Sequence, residues 1–123
     1  MKLRLQGNSL RLRLRQGEVR RLVERGVVEE RTEFAEAAFV YALRVTDAAQ
    51  ISADVKQYRI EVAVPRGVAR QWASGEQVGI EGSQPTPGGK ALRILVEKDF
   101  ECIDAPPGDS QEDAYPNPRA GKC

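Results

Sequence analysis

The chain has 123 residues and a net charge of +1, from 19 Lys and Arg against 18 Asp and Glu, so its bulk charge gives no pull toward nucleic acid or a membrane. Its length and 41% hydrophobic content suit one domain that buries its own core without metal or disulfide staples. It contains no histidine, which excludes the usual Ser-His-Asp and Cys-His nucleophilic systems and leaves zinc only two cysteines and carboxylates as ligands.

Met1 to Gln6 alternates Leu3 and Leu5 against Lys2 and Arg4, the period of a half-buried strand. Gly7-Asn8 is a turn dipeptide that suits a tight hairpin. Leu10, Leu12 and Leu14 then alternate with Arg11, Arg13 and Arg15, the clearest strand in the chain. Gln16-Gly17-Glu18 opens a short helix with Val19, Leu22 and Val23 on one face, and Gly26 stands where a left-handed cap is expected. Val27 to Phe34 reads as a strand, and Phe39 to Thr46 as a central strand with two apolar faces. Asp47 to Ala53 reads as a linker. Tyr58 to Val64 is a strand, Pro65 starts a second helix, and Val68, Ala69, Trp72 and Ala73 form its apolar face, with Trp72 a core residue. Gln77 to Glu81 reads as a short strand, Ser83 to Gly89 as a loop, and Leu92 to Val96 as a strand continuing through Cys102, a small buried hydrophobe. Residues 105–123 form a Pro-rich, acidic tail in which Tyr115 could anchor on the body. No stretch reads as a secretory signal or a membrane span, and two cysteines do not make a disulfide framework, so a cytoplasmic location is expected.

The middle of the chain matches itself. Val19, Arg21 and Gly26 correspond to Val68, Arg70 and Gly75, and Ala42-Leu43-Arg44 to Ala91-Leu92-Arg93, at one offset of 49. The expected fold is therefore α+β: a tandem β-α-β-β repeat, with units about 10–46 and 58–99, forming one largely antiparallel curved sheet with two short helices on one face. Residues 1–104 would make a single domain.

Two resemblances follow from particular segments. Gly7-Asn8-Ser9-Leu10-Arg11-Leu12-Arg13-Leu14, followed by Glu18-Val19, resembles the Gly-Asn-Ser-Leu segment of AbrB/MazE-type swapped-hairpin proteins. That resemblance implies a dimer whose β-layer contacts DNA through basic residues. A start of Met-Lys-Leu-Arg with Gly-Asn-Ser, then Gln77-Val78-Gly79-Ile80, Leu95 to Cys102, and Glu112-Asp113-Ala114-Tyr115-Pro116-Asn117-Pro118, is similar to a family of small uncharacterised bacterial proteins. It implies a bacterial source and a single compact domain, and it carries no activity.

Two constellations are candidate sites. Arg11 and Arg13 share a strand face, and Arg44, Arg59 and Arg93 lie on other strands; a curled sheet would gather them into one positive surface for a phosphate-rich ligand. Against this stands a solvated face of cross-strand ion pairs with Glu29, Glu33 and Glu61. Glu97 and Asp99 share a strand face with Glu101 and could bind a hard cation such as magnesium. No cofactor is implied, and no acid, base and nucleophile set converges. The leading reading is a non-catalytic binding or interaction module for an unknown protein or a small anionic ligand. The second is a DNA-binding regulator acting through the basic N-terminal hairpin. The third is a phosphate-ligand or metal-dependent enzyme using the strand-borne arginines.

Overall fold

Alternation builds this fold strand by strand. Leu10, Leu12 and Leu14 are at most 4% exposed, and the arginines between them face out. They form β2 (Ser9–Leu14), which pairs with β1 (Lys2–Gln6) through the Gly7-Asn8 turn, where Gly7 takes a φ of 53°. Helix α1 (Gln16–Arg25) follows. Its first turn is held by reciprocal contacts between Arg15 and Glu18, and Gly26 closes it at φ 80° with its N–H donating to the Leu22 carbonyl. Then come β3 (Val27–Glu33), β4 (Ala38–Thr46), β5 (Ser52–Lys56) and β6 (Arg59–Pro65). Helix α2 (Arg66–Ser74), β7 (Gly79–Pro85) and β8 (Ala91–Lys98) complete the elements of this computed structural model, which describes residues 1–100. The expectations placed on Cys102 and on the tail lie outside the described residues.

The strands form two four-stranded sheets rather than one. The first has the order β1-β2-β8-β7 and the second β3-β4-β6-β5. Both are mixed: β2 runs parallel to β8 and β4 parallel to β6, and the outer pairs are antiparallel. The helices explain the division. The chain leaves the first sheet through α1 and returns to it through α2, so each helix connects two layers instead of folding back over one. Every sheet thus joins one hairpin from each half of the chain.

Both sheets close on one hydrophobic core. Leu12, Leu14, Ile94 and Val96 come from the first sheet and Val28, Leu43, Val62 and Val64 from the second, all at most 2% exposed. Leu22 of α1 and Trp72 of α2 add to it, both fully buried. Trp72 is a core residue as expected, and its indole N–H donates to the Val78 carbonyl at 2.9 Å.

Four further expectations need correcting. The stretch read as a linker, Asp47 to Ala53, runs into β5, whose Ala53 is 5% exposed; the strand's period-two signal is short, with only Ala53 and Val55 apolar. The segment read as a loop from Ser83 continues β7 to Pro85, because Ser83 and Gln84 pair with Arg93 and Leu92. The single offset of 49 is also not the spacing of corresponding places. The buried pairs Leu12/Val62, Val19/Ala69 and Leu22/Trp72 are 50 apart. In the closing hairpins the shift is 53, since Leu43 lies beside Val62 as Val96 lies beside Leu12. Val23 and Val68, expected on the apolar faces, are 50% and 37% exposed.

The sheets are also stitched at their edges. The Gln84 side chain makes two hydrogen bonds with the Ala53 backbone, and Gly82 leaves room for Ile51. On the opposite side the buried α-amino group of Met1 pairs with Glu18 and with Glu30, the latter at 2.8 Å, and the Tyr41 hydroxyl donates to the Met1 carbonyl at 3.0 Å. No helix among the described residues is long and apolar enough to cross a membrane.

Candidate functional site

Strand parity decides which side chains a sheet presents outward. On the first sheet the register places Lys2 beside Arg13 and Glu97, Arg4 beside Arg11 and Leu95, and Gln6 beside Ser9 and Arg93. Glu81 on β7 lies beside Leu95. The outer face therefore carries Lys2, Arg4, Arg11, Arg13 and Arg93 against Glu81 and Glu97, with Asp99 just past the end of β8.

Neutralisation on this face is incomplete. The Nε atoms of Arg11 and Arg13 both lie 2.8 Å from one oxygen of Glu97. Only Arg13 is aligned to donate a hydrogen bond; the buried Nε–H of Arg11 finds no acceptor among the described residues. Two guanidiniums thus share a single carboxylate. Lys2 pairs with Asp99 at 3.0 Å, and Arg4 and Arg93 have no ion pair among the described residues.

The corresponding face of the second sheet is different. It carries Arg31, Arg44, Lys56 and Arg59 against Glu29, Glu33, Asp54 and Glu61, an even balance. Arg59 bonds Glu29 and Glu61, each at 3.0 Å, and Arg44 reaches Glu61 at 3.1 Å. This network roofs Ala42, which is fully buried on the outward side of β4. The hydrogen bond to Glu29 raises the Arg59 pKa, with burial opposing it and Glu61 adding to it. For Glu61, burial pushes the carboxyl up, and hydrogen bonds from Arg59 and Arg44 outweigh it, leaving it below the ordinary carboxylate range.

The five arginines singled out in the sequence are therefore divided. Arg11, Arg13 and Arg93 lie on the first sheet, and Arg44 and Arg59 on the second, within its ion-pair network. The carboxylates suggested for a cation are engaged by cations of the protein, Glu97 by Arg11 and Arg13 and Asp99 by Lys2. No group of three or more Asp, Glu or Cys is placed to hold a metal among the described residues. Sequence reasoning left Lys2 and Arg4 out of the site. Their signal was the β1–β2 hairpin itself, because alternation puts them on the same face as Arg11 and Arg13.

A second charged cluster surrounds Met1. Glu18 lies below the ordinary carboxylate range: burial raises it, but hydrogen bonds from the α-amino group and the Arg15 N–H, with the charge of that ammonium, bring it down. Tyr41 is displaced upward, by burial first and then by the charge of Glu30.

The fold and this face define a small α+β protein of two exchanged sheets, one with a positive outer surface. The chain belongs to a family of unknown function, DUF7009, whose model matches residues 1–119. No curated protein and no solved structure matches it.

Proposed function

We propose that this protein is a non-catalytic binding module that docks the phosphate backbone of duplex nucleic acid on the outer face of its first sheet. The contrast between two faces built alike carries this reading: one sets four cations against four carboxylates, and the other sets five cations against Glu81, Glu97 and Asp99, with Arg4 and Arg93 in no ion pair among the described residues. Arginine suits phosphate because its planar fork can donate two parallel hydrogen bonds. Successive outward residues on a strand are about 6.6–6.8 Å apart, so the face offers a grid of donors to a charged backbone. Among the described residues it presents no aromatic ring, and so no stacking platform for splayed bases; contact with phosphates in a duplex fits better than single-strand recognition.

The resemblance of the Gly7–Leu14 segment to AbrB/MazE-type proteins agrees with this, since its basic residues, Arg11 and Arg13, fall on β2. In this reading residues 1–104 act as one binding unit, with 105–123 as an appendage, in the cytoplasm of a bacterium. The matching placement of the two hairpin-helix-hairpin halves is read as a tandem duplication, after which only one face kept excess charge.

Fluorescence anisotropy with a 20-base-pair duplex at several salt concentrations tests the proposal. Four phosphate contacts predict a slope of log K against log salt of about −3.6. Absence of binding at 50 mM salt, or binding with no salt dependence, would reject it.

A further inference from the structure

A second site lies away from the sheet faces, in a cleft of about 350 Å³ between the last turn of α1 and the start of α2. Its apolar floor is formed by Leu22, Val23, Val45 and Ala69, of which Val23 is the exposed member. Four arginines from three elements line it: Arg25 on α1, Arg44 on β4, and Arg66 and Arg70 on α2. Among the described residues the only carboxylate lining it is Glu24. Arg44 is bonded to Glu61, and Arg66 to the exposed Asp47 at 3.1 Å. Arg25 and Arg70 have no ion pair among the described residues.

Local stability does not account for this gathering. Arg25 sits in the last turn of α1, where a cation is favoured. Arg66 is at the opposite end of its helix, where the dipole disfavours positive charge, and α2 has no acidic residue in its first turn and no side-chain cap. α1, by contrast, has Glu18 in its first turn, where its carboxylate accepts from the Arg15 N–H at 2.8 Å. Departures from local rules are expected where a sequence serves a site.

From this convergence we infer that the α1–α2 cleft binds a small phosphate monoester, with the phosphate between Arg25 and Arg70 and a compact apolar group on the floor. The volume is at the lower end of the range for small-molecule sites, which suits one ring and one phosphate. The guanidiniums supply paired donors to the phosphate oxygens. The site is independent of the sheet face proposed for nucleic acid and would stand if that proposal failed.

Calorimetric titration of the full chain with phenyl phosphate and with inorganic phosphate provides the test. The expected result is one phenyl phosphate per chain, bound at least threefold more tightly than inorganic phosphate because of the floor. Arg70→Ala and Arg25→Ala, both at exposed positions, should each weaken it at least tenfold with an unchanged circular dichroism spectrum. Absence of binding would overturn the inference. So would loss of binding in Arg11→Ala with retention in Arg70→Ala, which would move the anion to the sheet face.

Discussion

Leu22 and Val23 are neighbours on α1, and only one of them supports the core. Leu22 is fully buried and Val23 is 50% exposed. Leu22→Ala removes a side chain from a closed core, where the transfer and cavity costs together amount to about 2–5 kcal/mol. Val23→Ala trims an exposed residue and should stay within about 0.5 kcal/mol. Trp72, which holds the Leu22 place in the second half, should follow Leu22: Trp72→Phe deletes the donor to the Val78 carbonyl and costs about 1–3 kcal/mol. Urea unfolding followed by circular dichroism measures all three. With a slope of about 1.5 kcal/mol per M, a loss of about 3 kcal/mol moves the midpoint by about 2 M. A Val23→Ala variant as destabilised as Leu22→Ala would refute the alignment of the two helices and the core built on it.

Gln57 and Tyr58 join β5 to β6 with φ of 50° and 62°, a left-handed pair without glycine. Replacing them with Asn-Gly should raise unfolding free energy by about 1 kcal/mol, and a loss of stability would contradict the strain. Gly82→Ala would place a Cβ 2.1 Å from Ile51 Cγ2, so a cost of about 1–3 kcal/mol is expected, with partial recovery in the Gly82→Ala/Ile51→Ala double variant. Glu18 has a depressed pKa in the folded state, so its contribution is present at neutral pH and is lost as pH falls from the unfolded carboxylate value through the lower folded one. Unfolding free energies at pH 7 and pH 3 should therefore differ less in Glu18→Gln than in the parent chain.

Local signals in the sequence were read correctly where the cause is local. Period two marked β2 and β8, a left-handed glycine marked the end of α1 at Gly26, and two apolar faces marked β4 as an interior strand. The exchange of hairpins between sheets was not legible, because it depends on where two short helices deliver the chain. Parity assigned each arginine to an outward face but not to a sheet, which is why Arg44 and Arg59 were grouped with Arg11 and Arg13. The identical triplets Ala42-Leu43-Arg44 and Ala91-Leu92-Arg93 misled for a related reason. Arg44 lies beside Ala63, and the place equivalent to it on β8 belongs to Glu97, beside Arg13. The carboxylate at that place is what gives Arg11 and Arg13 their shared partner.

The central claim is that one face, and not its counterpart, receives a polyanion. The direct measurement compares duplex affinity at 100 mM salt for Arg4→Ala/Arg93→Ala on the first sheet and Arg31→Ala/Lys56→Ala on the second. Both double variants remove two positive charges from exposed strands, so they change net charge equally. The account predicts a loss of at least tenfold for the first pair, with the salt slope reduced by about 2, and little change for the second. Equal losses in both would show that binding follows net charge alone and would contradict the account.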